Sequence, residues 1–415
     1  MKKNSLQFYL ITLVFINVYS LNAQTINLGE VAVSTDTKVS VHSDFINSNA
    51  ADFINDGELY FYKNIRNEGL FTFTSGIESF VFLNGKTPQS IVGGLPIELY
   101  NVQFNNTASQ PAFRLGGDLK IFGTADFING IVDNNSLGGY VTFDQGSSSF
   151  NMADDSFVNG SVEKRGQDAF TFPIGSNGFY RQAAIATLSV TDKITSKYSL
   201  ENSNTEFPHA NVSGNTIELI NDTEYWKIEG TALNAEMVLT LSWNNNTTSQ
   251  QLLAGLNENN IRIVRWDSQT KKWLDEGGIV DIANKTITTP TQVSGYGIFT
   301  IARITVPTVL PMLDIYNAVS PDGDGKNDYF IIGNLEKYPN NTVEIFNRWG
   351  VKVFETTNYG SSDNVFRGIS EGRATLNRDG KLQTGTYFYI IQYQYSEDGK
   401  TKTDKKSGYL YLNND

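Results

Sequence analysis

The densest cluster of side-chain oxygens is Asp322-Gly323-Asp324-Gly325-Lys326-Asn327-Asp328. Acids alternating with glycines suit a hard cation such as calcium, which collects oxygens around a sharply bent chain. The EF-hand pattern fails: Lys326 stands at loop position 5, and Gly333 stands at position 12, where a bidentate glutamate is needed. Asp322, Asp324 and Asp328 could form a partial calcium site completed by other loops. The favoured reading is a rigid turn whose acids cap backbone N–H groups. Glu98 and the pair Asp154-Asp155 are acids on which a carbohydrate-cleaving site could draw. Adjacent strand residues point to opposite faces, so Asp154 and Asp155 cannot flank one bond and read as solvated turn residues. His42 and His209 are the only histidines and cysteine is absent, which excludes multi-histidine metal centres, thiol nucleophiles, disulfides and iron–sulfur clusters. Neither histidine lies near a Gly-x-Ser-x-Gly nucleophile motif. Trp226, Trp243, Trp266 and Trp273 could offer flat rings to a glycan. Trp243 reads as core, and Trp266 and Trp273 as a pair across a hairpin.

These residues must be held by strands. Among the 415 residues are 36 glycines, 20 tyrosines and 26 phenylalanines, a mixture of turn formers and strand formers. In residues 25–165, Phe53-Ile54-Asn55-Asp56-Gly57 and Arg66-Asn67-Glu68-Gly69 each precede a short apolar segment. Phe127-Ile128-Asn129-Gly130 and Phe157-Val158-Asn159-Gly160 repeat the theme. Turn residues at recurring offsets predict stacked coils of a β-solenoid, with an ordinary β-sandwich as the alternative. Residues 166–304 carry strands at sandwich spacing. Met237, Leu239, Leu241 and Trp243 share one face of a strand, and a short helix is expected over Ser249 to Gly255. The prolines of residues 305–311 mark a linker, since proline cannot donate to a sheet ladder.

The N-terminus reads as an address. Lys2 and Lys3 precede the apolar run Leu10 to Val18, which is too short to span a bilayer, and small and polar residues follow. This predicts a signal peptide over residues 1–24, cleaved near Ala23 or Gln24, and an exported chain with no later transmembrane segment. The net charge of −12 argues against non-specific binding to nucleic acid or anionic lipid. No glycine-rich phosphate loop opens a helix, so nucleotide binding is not expected.

Residues 312–415 hold the informative series. Ser320-Pro321-Asp322-Gly323-Asp324-Gly325 leads to Asn327-Asp328; then come Tyr338-Pro339-Asn340-Asn341, Phe346-Asn347-Arg348-Trp349-Gly350 and Gly385-Thr386-Tyr387. Read physically, Asn347 to Gly350 turn a hairpin, and Tyr387, Tyr389, Ile391, Tyr393 and Tyr395 alternate along one strand face. Asp398-Gly399 then turns the chain into a last strand. Taken in this order, the motifs resemble the gliding-motility-associated C-terminal domain, the type B sorting domain of the type IX secretion system. The resemblance implies an Ig-like β-sandwich, recognition by the secretion machinery, and delivery to the cell surface or the medium. Where the family has Trp-Asp-Gly, this chain has Phe366-Arg367-Gly368, with Phe366 standing in as the core aromatic.

The expectation is an all-β chain: a solenoid-like or sandwich region, a middle β-sandwich and an Ig-like sorting domain. Its expected role is that of a non-enzymatic secreted or surface protein, structural or adhesive. The alternative is a carbohydrate-binding or carbohydrate-active protein on a β-scaffold, with surface glycans as partners.

Overall fold

The computed structural model describes residues 23–214, 216–232, 237–254, 256, 260–305, 313–361, 363–370, 380–397 and 400–414. Residues 1–22 of the expected signal peptide, all of the linker but Thr305, and the Asp398-Gly399 turn lie outside these residues.

Short strands with strict inside–outside alternation cannot bury their apolar face alone, and here they do so by coiling. The first coil comprises β1 (Gln24–Asn27), β2 (Glu30–Val33) and β3 (Lys38–Val41). Each pairs in parallel with the corresponding strand of the next coil: Thr25 beside Phe45, Val31 beside Phe53, Val39 beside Leu59. Six such coils build three parallel sheets around one core, so residues 25–165 are a β-solenoid rather than a separate sandwich. Asparagines line the corner between the first and second sheets. Asn27 Nδ2 donates to Asn47 Oδ1 and Asn47 Nδ2 to Asn67 Oδ1, each at 2.9 Å, which satisfies amides otherwise stranded in the interior. The glycines at offset 12 are not equivalent: Gly57 precedes a strand of the third sheet, and Gly69 one of the second.

The strand Ser161–Gly166 is where the fold changes character. It pairs in parallel with Val141–Phe143 of the sixth coil and antiparallel with Asp192–Ser199. The second solenoid sheet thus continues across residues 165 and 166 into an antiparallel sheet. A five-stranded sheet, including Ala183–Ile185, Leu239–Ser242 and Thr286–Thr288, covers it as the second layer of a sandwich. Solenoid and sandwich share one hydrophobic core that reaches from Val33 to Ile301. Met237, Leu239, Leu241 and Trp243 are all buried, and the short helix is Gln250–Leu253.

Residues 313–414 form sheets of their own. A five-stranded sheet takes the order Ala318–Val319, Lys400–Leu412, Gly385–Glu397, Asn341–Phe346, Lys352–Thr357, and a two-stranded sheet joins Asp314–Ile315 to Ile332–Gly333. Its core, from Leu313 to Leu412, is separate from the solenoid–sandwich core. Tyr387, Tyr389, Ile391 and Tyr393 are buried on one face of the long strand.

Candidate functional site

The three acids of the glycine-rich loop come together, each offering an oxygen within 4.8 Å of the others. Their carboxylates already have work. Asp328 accepts from the backbone of Gly323 at 2.7 Å and Gly325 at 2.9 Å. Asp322 accepts from Asp324 N at 3.0 Å, and Asp324 from Lys326 N at 2.7 Å. Ser320 N donates to Asn327 O at 2.8 Å and closes the loop at its base. Gly323 and Gly325 adopt φ of +82° and +87°, which their sequence positions permit at no steric cost. The geometry is that of a self-capped turn, and Pro321 enters it half-buried.

The second motif splits into two roles. Tyr338 is buried with its ring 4.6 Å from Tyr393, and Pro339 leads to Asn340, which is exposed. Its neighbour Asn341 does the holding: Nδ2 donates to Tyr338 O at 2.7 Å, and Oδ1 accepts from Tyr359 N at 2.8 Å. Tyr359 in turn donates its hydroxyl to Phe330 O and accepts from Phe366 N at 3.1 Å. Burial pushes this phenol well above its ordinary pKa, so it stays a donor across the physiological range. Asn341 belongs to the motif read in the sequence, whereas Tyr359 escaped that reading because nothing in the local pattern marks it. Phe366 is fully buried against Phe354, as its expected role as the core aromatic requires.

The third motif is presented outward. Asn347 Oδ1 accepts from Trp349 N and Val351 N, both at 3.0 Å, and Gly350 takes φ +72°. Phe346 is half-buried at the strand end, while Trp349 is 53 % exposed with the Arg348 guanidinium 4.8 Å from its ring centroid. A rigid turn therefore holds a cation and a large aromatic at the surface, the residue types that anchor protein contacts. Gly385 and exposed Thr386 open the long strand, and Tyr387 anchors it through a 2.8 Å hydrogen bond to Gln383 O.

Residues 313–412 match the CHU_C Type IX secretion signal domain. The match supports export of the chain as a cargo of the type IX secretion system. No curated protein and no solved structure matches the chain. The motifs quoted from residues 312–415 lie within the secretion signal domain: the glycine-rich loop and the Arg348–Gly350 turn tip are exposed, and Tyr338 and Tyr387 belong to its core. Among the described residues no helix is long and apolar enough to cross a membrane.

The other candidates take structural places. Trp226, Trp243, Trp266 and Trp273 are all buried, so they form no exposed glycan platform. Trp266 and Trp273 pair directly across their hairpin with ring centroids 5.7 Å apart. Glu98 binds Lys120 at 3.1 Å and Thr72 at 2.9 Å, bracing three coils, and Asp154 accepts from Tyr180 N at 2.9 Å. Asp155 is exposed and offers its backbone carbonyl to Gly130 N. His42 stacks on Tyr62 at 4.3 Å. His209 Nε2 bonds Ser203 Oγ at 2.9 Å, and burial holds its pKa below the usual histidine value.

Proposed function

We propose that this chain is a non-enzymatic structural or adhesive protein, released from the cell or displayed on its surface. The type IX machinery is its partner during export. The supporting observation is the separateness of the C-terminal domain. It closes a sheet and a core of its own, and it carries half-exposed Trp349 beside Arg348 on a turn that shares no strand with the rest and faces the sandwich across a cleft. A transporter can then grasp the same module whatever the attached cargo. The structural role rests on the solenoid, where Asn27, Asn47 and Asn67 form a ladder and Glu98 joins three coils. Surface glycans remain the alternative partner, through residues other than the four buried tryptophans.

Removing residues 312–415 should leave the remainder in the periplasm, and joining that segment and a signal peptide to a reporter should export the reporter. Fractionation with immunoblotting checks both. Normal amounts of the truncated protein in the medium would overturn the sorting assignment. Trp349→Ala should lower export while leaving the melting temperature unchanged, because the ring is not part of the core.

A further inference from the structure

The solenoid is sealed at one end and open at the other. At the C-terminal end the sandwich continues the sheet and the core. Among the described residues, β1, β2 and β3 are each the last strand of their sheets at the N-terminal end, and each has one backbone edge with no strand beside it. The core is uncovered there too. Val31 occupies the inward position that Phe53 fills in the second coil, yet Val31 is 40 % exposed and Phe53 4 %. Ile26 and Leu28 on the same rim are 49 % and 81 % exposed. Stacked-coil proteins need a polar cap on such an end, because an open edge and an open core together invite another chain.

We propose that this end is an interface and that its occupant is a second copy of the chain, docked head to head about a twofold axis. Head-to-tail stacking is blocked, since the other end is built into the sandwich. A twofold axis across the solenoid reverses the direction in which the second chain circulates. All three edges then meet antiparallel strands, with β1 against its own copy and β2 against β3 of the other. The strands allow that arrangement with a slip of one residue. β2 reads Glu-Val-Ala-Val and β3 reads Lys-Val-Ser-Val, with the valines inward in both. Pairing residues that face the same side sets Val31 against Val39, Glu30 against Ser40 and Ala32 against Lys38. Glu30 and Lys38 are then unlike charges on the diagonal of each mixed ladder, with Lys38 also bound to Glu58 of its own chain at 2.9 Å. β1, Gln24–Asn27, carries none and so meets its own copy without repulsion. Residues pointing to the same side must pair across β1, which brings Ile26 to the axis or one pair from it.

The test is the mass of the chain beginning at Gln24, by light scattering and sedimentation at physiological salt. The expected result is twice the monomer mass at micromolar concentration. Val31→Lys, a charge set on the open edge, should weaken association at least 100-fold. Glu30→Lys, which sets two lysines on the diagonal of each mixed ladder, should weaken it about threefold, circular dichroism reporting on the fold throughout. The absence of cysteine supplies a second readout. Ile26→Cys should be joined to its twin by a short bismaleimide, whereas Tyr140→Cys, exposed far along the solenoid, should not. A monomeric chain, an association indifferent to Val31→Lys with the fold intact, or equal crosslinking of the two cysteine variants would overturn the proposal. So would association found only in chains that retain residues 1–23.

Discussion

Arg181 and Glu224 are among the most deeply buried polar side chains described, at 1 % and 0 % exposed. The guanidinium meets both carboxylate oxygens, Nε at 3.0 Å and Nη2 at 2.9 Å, and also donates to Ser242 O at 2.6 Å. Tyr198 donates to the same carboxylate at 2.6 Å, and Thr248 and Asn221 complete its shell. A buried pair this fully satisfied gives little net stability relative to an apolar pair, but breaking it strands a charge. Arg181→Ala should therefore cost about 3–5 kcal/mol in chemical denaturation. Arg181→Met combined with Glu224→Leu should recover most of that loss. A cost below about 1 kcal/mol for the single change would place water in the site. None of this was legible in the sequence. Arg181 and Glu224 lie 43 residues apart, and neither sits in a pattern that predicts burial. Trp243 and the Trp266–Trp273 pair were legible, because alternation and a short polar turn fix a strand face and a cross-strand neighbour by local geometry alone.

At the scale of elements, the tetrapeptide Asp-Phe-Ile-Asn shows what a linear reading could and could not extract. It occurs at 44–47, 52–55 and 126–129, and the three copies lie in the first, second and third solenoid sheets respectively. In each copy the Phe is buried and the Asp half-exposed. Every side of a solenoid offers the same pleated, half-buried environment, so one tetrapeptide serves all three. The pattern therefore announces coils while concealing their period, which the ladder Asn27, Asn47, Asn67 reveals as 20 residues at the start. Later coils depart from it: Phe45 aligns with Ile65, but Ile65 aligns with Ile91. The glycine-rich loop was legible in the other sense, since its acids cap backbone donors as short-range turn chemistry predicts. With those donors supplied by the chain itself, a chelator should leave the melting temperature of the secretion signal domain unchanged. A fall of several degrees with chelator, reversed by calcium alone, would instead assign Asp322, Asp324 and Asp328 to a cation.

For the whole molecule, the partition of the core decides how the chain should unfold. Composition places a boundary between residues 165 and 166, yet that point lies inside the strand Ser161–Gly166, which is paired on both edges. A chain ending at 165 would expose this strand edge and part of a core shared with Phe170, Phe172 and Trp226. It should aggregate or melt well below the longer protein. A chain ending at 304 keeps that core whole, and its melting temperature should stay within a few degrees of the corresponding transition in the full chain. The secretion signal domain has its own core, and it meets the sandwich at Ser407 Oγ to Gly278 O at 3.3 Å and across a cleft lined by Phe346, Trp349 and Lys352 on one side and Ala184, Ala186 and Pro290 on the other. Differential scanning calorimetry of the full chain should therefore show two transitions, one of which disappears when residues 312–415 are removed. A single transition lost as a unit on that truncation would mean that the signal domain and its cargo stabilise each other. An export label able to serve different cargoes needs the opposite, because its fold must not depend on the protein it carries.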